Sequence, residues 1–185
     1  MKILSDLSKY QNTDYEVGAC GFKLIVWYFV NALIFNSYLF PFNTFKVFLL
    51  RIFVANVGAN VVIKPSVNIK YPWNLTIGSN SWIGENVWID NLEKVIIGKN
   101  CCVSQGALLL CGNHNYKKST FDLIVKAIVL EDGVWIGAMS VVCPGVICKS
   151  HSILTVNSVA TSNLEPFSIY QGNPAVYVRY RDLKA

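Results

Sequence analysis

From Val57 onward, aliphatic residues recur every six positions. The series runs Val57, Ile63, Ile69 and Leu75, jumps by two to Ile77, Ile83, Ile89 and Val95, and jumps by two again to Ile97, Val103 and Leu109. It resumes at Leu130 and continues through Ile136, Val142, Cys148, Leu154 and Ala160. Fifteen of these seventeen positions hold Val, Ile or Leu. Four residues after most of them the side chain is again small or aliphatic, as at Val61, Val67, Ser81, Val87, Cys101, Ala107, Val134, Ser140 and Ser158. Six residues are too few for a helical repeat but fit one short strand and a turn. Three such units make one coil whose inward residues stack on those of the next, so the pattern predicts an all-β, parallel solenoid of triangular section. Antiparallel hairpins would instead need two-residue alternation and Asn-Gly-type turns, and neither is prominent.

Ahead of the repeats, residues 1–53 form an apolar segment predicted to be helical. Its tract Leu24 to Phe40 is interrupted by Asn31, Asn36 and Ser37 and ends at Pro41. A spanning helix needs roughly 20 predominantly apolar residues, and this tract is too polar for one. It reads either as amphipathic helices covering one end of the solenoid or as a helix lying in a membrane interface, with Lys23 and Lys46 bracketing it. The stacked residues from Val57 onward are expected to fold without it. The opening "MKILSDLSKYQNTDYE" lacks the apolar core of a signal peptide, so a cytoplasmic location is expected, with peripheral contact at the inner face of the cytoplasmic membrane through residues 24–40. The solenoid itself is expected over 54–166, with a short C-terminal extension at 167–185.

The beat fails between Leu109 and Leu130, a step of 21 residues, or fifteen beyond one hexad. Insertions in solenoids are carried outside the coil, and long ones are mostly functional. This one, at about 110–129, contains "LLLCGNHNY" and therefore His114, one of two histidines in the chain. Ile89 and Leu109 are 20 residues apart, one coil including the jump. Asp90 and Asn91 should thus lie beneath Leu110 and Cys111, about 4.8 Å away along the axis. A carboxylate, an amide and an imidazole are placed at one edge, with Asn113 and Tyr116 flanking the histidine. His151, in the turn "KSHS", has no comparable partner and reads as a corner residue.

The hexads "IGSNSW", "IGENVW", "IGKNCC" and "IGAMSV" resemble the hexapeptide-repeat acyltransferases. The longer stretches "KPSVNIKYPWNLTIG", "SWIGENVWIDNL", "FDLIVKAIVLEDGVWIGA" and "SIYQGNPA" resemble more narrowly the colanic-acid-type O-acetyltransferases of bacterial polysaccharide pathways. The resemblance implies a left-handed parallel β-helix, a homotrimer with active sites between subunits, and acetyl-CoA as cosubstrate. It implies that His114 takes the proton of an acceptor hydroxyl, the commonest task of a group that titrates near neutrality. Asp90 and Asn91 would orient the sugar or cap a corner turn, and Asn113 and Tyr116 would contact the sugar too. A backbone N–H at Ala138 would meet the oxyanion. Trp135 would line the pantetheine channel, or simply pack with Trp82 and Trp88. Val156 and Thr161 would follow the CoA chain, and Arg179 would contact its phosphates. The chain departs from the family in carrying Asn157 and Ser162 in "VNSVATSN" where Gly and Lys are common, and Lys149 in place of a turn glycine. These departures would either reduce activity or leave another basic residue such as Arg181 to substitute.

Composition narrows the alternatives. The net charge is +5, but charged residues are only 15% of the chain and no run of five basic residues occurs, so a small phosphorylated partner is expected rather than nucleic acid. The six cysteines include no C-x-x-C and no metal-site spacing with histidine, so they read as reduced packing residues and no metal is expected. The γ-class carbonic anhydrases, which share the resembled fold, need three histidine ligands, and this chain has two histidines. The reading that results is transfer of acetyl from acetyl-CoA to a hydroxyl of a sugar, or of a sugar-containing intermediate, in bacterial surface or exopolysaccharide synthesis. An amine or serine acceptor, or a trimeric scaffold without chemistry, are the alternatives.

Overall fold

The computed structural model describes residues 3–13 and 15–184. Each hexad forms a strand of two or three residues, and successive strands turn onto three faces. The first face stacks Asn56–Val57, Leu75–Ile77, Val95–Ile97, Ile128–Leu130 and Ile147–Cys148, all parallel. The second runs from Val62–Ile63 through Trp82–Ile83, Cys102–Val103 and Trp135–Ile136 to Ile153–Leu154. The third stacks Asn68–Ile69, Trp88–Asp90, Leu108–Leu110, Val141–Val142 and Val159–Ala160. Along it Ile69, Ile89, Leu109 and Val142 lie one above another, fully buried, as the six-residue beat requires.

The jumps of two also have a structural meaning. Leu75 and Ile77, Val95 and Ile97, and Ile128 and Leu130 are the two inward ends of three-residue strands on the first face. Two of the fifteen extra residues before Leu130 therefore lengthen a strand, and the rest form the insertion.

Most corners turn on a residue in the left-handed region, three positions after an inward aliphatic. Asn60, Asn80, Asn86, Asn100 and Asn157 have φ between 54° and 62°, and Gly106, Gly133 and Gly145 serve at other corners. Asparagine tolerates this conformation better than most residues with a Cβ. Asn157 at φ 55° thus keeps the corner that a glycine would make. His151, at φ 59°, is a corner residue as well, its ring stacked on Phe167.

The C-terminal extension prolongs the second face. Ser168–Gly172 pairs in parallel with Ile153–Leu154 and turns back as the antiparallel arm Ala175–Tyr180.

At the other end, helix α1 (Gly21–Val30), a π-turn (Asn31–Phe35) and helix α2 (Asn43–Ile52) lie across the first coil. Among the described residues no helix is long and apolar enough to cross a membrane. The polar residues of this segment close the open sheet edges. Asn31 Oδ1 accepts from Ile69 N at 3.1 Å and Trp27 Nε1 donates to the Ile69 carbonyl at 2.9 Å, capping the third face. Asn43 accepts from Ile63 N at 2.7 Å and donates to the Val61 carbonyl at 2.9 Å, capping the second. Arg51 donates to the carbonyls of Val57 and Gly58, both at 2.9 Å, capping the first. Exposed strand edges would otherwise template association. The expectation that the solenoid folds without this segment takes no account of these bonds, which side chains of residues 27–51 supply to its first coil.

The bracketing lysines are also not where an interface helix would hold them. Lys46 is fully buried with Nζ on the Lys64 carbonyl at 3.0 Å, and burial holds its ammonium below the usual lysine range. Lys23 Nζ sits over the Trp73 ring, 4.7 Å from its centroid. Beside Tyr28, Thr44 and Arg51, the helices expose apolar side chains: Phe22, Ile25, Phe29 and Leu33 from α1 and its π-turn, and Phe45, Phe48 and Ile52 from α2.

Candidate active site

The site begins where the third face ends. Trp88–Asp90 pairs in register under Leu108–Leu110, so Asp90 lies directly beneath Leu110 as its spacing required. One coil lower is Lys70, whose Nζ lies 3.0 Å from Asp90 Oδ1. That oxygen makes no directional hydrogen bond, so the contact is an ion pair between a buried carboxylate and a half-exposed ammonium. Cys111 N donates to the Asp90 carbonyl at 3.2 Å and Lys126 N donates to the Cys111 carbonyl at 3.0 Å, which pinches the insertion shut where it leaves the coil.

Beyond this neck the insertion folds back as an antiparallel pair, Gly112–His114 with Leu123–Val125. At Gly112 a Cβ would meet Leu92 Cδ1 at 2.7 Å, so a larger residue there would have to push aside the end of that side chain. His114 is fixed in two ways. Its ring stacks on Phe121, with centroids 4.4 Å apart and planes 8° from parallel, and its Nδ1 lies 2.9 Å from the Phe121 carbonyl oxygen. A carbonyl can only accept, so Nδ1 carries a proton, and when the ring is neutral its lone pair is on Nε2, turned away from the Phe121 carbonyl.

The other predicted residues divide. Asp90 and His114 line one cleft of about 580 Å³ together with Lys70 and Tyr71. That volume lies within the range of about 300–1,000 Å³ typical of small-molecule sites. Asn91 is fully buried, and both ends of its amide are bonded to the backbone of Tyr71, which makes it a corner clamp lying outside the lining. Asn113 Oδ1 accepts from His114 N at 2.8 Å, and Tyr116 is exposed next to the loop, its N–H on the His114 carbonyl at 3.0 Å. Lys70 and Tyr71 were absent from the sequence-based set. The 20-residue register that placed Asp90 under Leu110 also places Lys70 under Asp90, so Lys70 had a signal.

Trp135 is on the second face, paired with Cys102 below and Ile153 above, and its Nε1 donates to Ser104 Oγ at 2.9 Å. With Arg179 and Lys184 it lines a separate cleft of about 540 Å³. Ala138 is at the following corner, where its carbonyl accepts from Asn157 N at 2.9 Å and its N–H has no acceptor among the described residues. Val156 is exposed one coil above it, and Thr161 is exposed after the last strand of the third face. Arg181 lines this cleft too, but its Nη1 donates to the carbonyls of Gly133 and His151 at 2.9 and 3.0 Å. Lys149 pairs with Glu165 at 2.7 Å. The His114 cleft and the Trp135 cleft share no residue.

Burial pushes the Cys111 thiol up to about 11, so it is protonated at neutral pH and unsuited to attack a thioester. Among the described residues no three His, Cys, Asp or Glu side chains gather as a metal site.

A hexad solenoid carrying a histidine on an inserted loop is the arrangement expected from the resemblance to the hexapeptide-repeat acyltransferases. No family model matches the chain. It is 33% identical over 178 residues to the "Putative colanic acid biosynthesis acetyltransferase WcaF" of Escherichia coli K12, across 96% of this chain and 98% of that protein. The chain therefore belongs to the hexapeptide-repeat acetyltransferases of the colanic-acid type, and its fold is the left-handed parallel β-helix. The fold is shared with a hexapeptide-repeat acetyltransferase of Vibrio cholerae solved with acetyl-CoA, at TM-score 0.81 and 22% identity over 97% of this chain and 96% of that one. A galactoside acetyltransferase solved with coenzyme A superimposes with TM-score 0.76 and 22% identity, over 89% of this chain and 85% of that one.

Proposed function

We propose that the protein moves an acetyl group from acetyl-CoA to a hydroxyl of a sugar, or of a sugar-containing intermediate of a surface or exopolysaccharide, and does so as a homotrimer. The single observation that carries this reading is the His114 tautomer, with Nδ1–H on the Phe121 carbonyl and Nε2 left to accept a proton beside Asp90. The acceptor hydroxyl gives its proton to Nε2 while its oxygen attacks the thioester carbon. The C–S bond then breaks, and the departing thiolate takes that proton back from the imidazolium. Asp90 accepts a hydrogen bond from a neighbouring hydroxyl of the acceptor, and the Ala138 N–H meets the oxyanion. Trp135 and Arg179, with Lys184 in the place given to a further basic group, receive the pantetheine and the phosphates.

Two observations support the trimer. Base and CoA groups line separate clefts of one chain, so a neighbour must bring its Trp135 face to His114. Trp82 and Trp135 on the second face and Trp88 on the third are also 45–60% exposed, an apolar surface that packed prisms would bury. Sedimentation equilibrium should give three times the 20.7 kDa chain mass. Acetyl-CoA consumption, screened against nucleotide sugars, lipid-linked oligosaccharides, amines and serine, should rise with a carbohydrate. Turnover with amines or serine alone would overturn the hydroxyl reading, and turnover with none would favour a scaffold.

We further propose that the protein is cytoplasmic and rests on the inner face of the cytoplasmic membrane through the outward faces of α1 and α2. The supporting features are the exposed apolar side chains Phe22, Ile25, Phe29 and Leu33 from the first helical segment, and Phe45 and Phe48 from α2. Because Lys23 and Lys46 turn inward, attachment should depend on apolar contact and persist in high salt. In vesicle flotation the wild type should float and Phe29→Glu/Leu33→Glu should stay at the bottom. A wild type that does not float removes this part of the reading.

A further inference from the structure

Residues 3–13 and 15–17, ahead of the helices, belong to an arm that the chemistry above leaves unused. It is pinned at both ends. Asp6 N donates to the Ser119 carbonyl at 2.7 Å, tying the arm to the catalytic insertion, while Trp73 Nε1 donates to the Val17 carbonyl at 2.7 Å and ties it to the solenoid. Between the pins, Tyr15 Oη donates to the Leu92 carbonyl at 2.8 Å, which holds its ring in place. The Tyr10 ring centroid lies 6.1 Å from that of His114, with the planes inclined by 58°.

The result is a cleft with two unlike walls. Lys70, Asp90 and His114 stand on the wall built by the solenoid and its insertion, and Tyr10, Asn12 and Tyr15 stand on the other. The first wall has what transfer requires. The second offers two aromatic rings and a side-chain amide, with the Tyr15 hydroxyl proton already engaged. An aromatic face packs well against an apolar surface, and an amide both donates and accepts. A pyranose matches this pair, since one side of its ring is a patch of C–H groups and its rim carries hydroxyls.

We propose that the N-terminal arm is one half of the acceptor site, that Tyr10 is a specificity-determining residue whose ring packs against the apolar face of a pyranoside, and that Asn12 bonds its hydroxyls. Tyr15 is a positioning residue that keeps the arm at the right distance. This inference rests on the carbohydrate reading and deepens it.

The test uses the full-length chain, acetyl-CoA and a panel of methyl hexosides and methyl 6-deoxyhexosides. With the best glycoside, Tyr10→Leu should raise the acceptor KM about three- to tenfold, the loss expected for a stacked aromatic contact, while the KM for acetyl-CoA stays within about twofold. Tyr10→Phe restores the ring and should bring the acceptor KM back toward the wild-type value. Asn12→Ala, on an exposed residue, should raise the acceptor KM severalfold and change the ranking of the glycosides. An acceptor KM unmoved by both Tyr10→Leu and Asn12→Ala overturns the proposal and leaves the carbohydrate reading standing. Equal rises in both KM values also overturn it, as general damage. A wild type that acetylates neither these glycosides nor the nucleotide sugars and lipid-linked oligosaccharides of the wider screen sinks the carbohydrate reading itself, and this inference with it.

Discussion

His114→Ala lowers kcat by about 10² to 10⁴, the usual contribution of a positioned general base, and leaves the KM for acetyl-CoA nearly unchanged. The size of the effect follows from how completely the imidazole is committed. Its Nδ1 is bound to the Phe121 carbonyl and its ring is stacked on Phe121, so the side chain has little to do for stability beyond that one contact. Thermal stability should therefore fall far less than activity. Cys111→Ser is the matching control. The thiol is buried and protonated, with Sγ 3.6 Å from the Glu93 carbonyl, a contact that a hydroxyl can also make. Turnover should stay close to wild type. If Cys111→Ser abolishes acetyl transfer while His114→Ala retains it, transfer passes through an acyl-cysteine and the direct mechanism is wrong.

Removing residues 1–53 should yield an insoluble or aggregated protein, because the first strand of each face would lose its cover at once. The deletion unmasks the strands containing Val57, Ile63 and Ile69, each now satisfied by a side chain from the helical segment. A graded version isolates one cap. Asn43→Ala leaves Ile63 N–H and the Val61 carbonyl without their partner, at about 1–3 kcal/mol for each group that water does not reach. Asn43→Asp keeps an acceptor for Ile63 N–H but loses the donor to Val61, so it should fall between alanine and wild type in a thermal melt. A soluble, trimeric deletion protein would show that the caps are dispensable.

The ladder of inward residues was legible because a six-residue unit leaves each side chain one fate. Ile69, Ile89 and Leu109 could be stacked from their spacing alone, and Asp90 followed under Leu110. Asn91 was harder. One residue past Asp90, its side chain turns to the backbone of Tyr71 instead of the cleft, and spacing along a strand does not tell which way a corner residue turns. Asn31 and Asn43 looked like interruptions in an apolar tract, because a polar residue that caps another element is indistinguishable in one dimension from one that faces water. Tyr10 and Asn12 were illegible for a different reason. The arm has no period, and its place over His114 rests on single long-range hydrogen bonds such as the one from Asp6 to Ser119. The corner asparagines, by contrast, were in plain view in "GSNS", "GENV" and "GKNC", yet became informative only once their positive φ values were known.

The neck of the insertion has a consequence for how such a protein can diversify. Lys126 N reaches the Cys111 carbonyl at 3.0 Å, so the chain leaves and re-enters the coil through a single hydrogen bond, and the coils above and below pair across the gap as though nothing had been inserted. The stacking of the core is therefore uncoupled from the length of chain held between those two residues, so a residue added or removed at the tip of the insertion, away from His114 and Ser119, would leave the register of every coil unchanged.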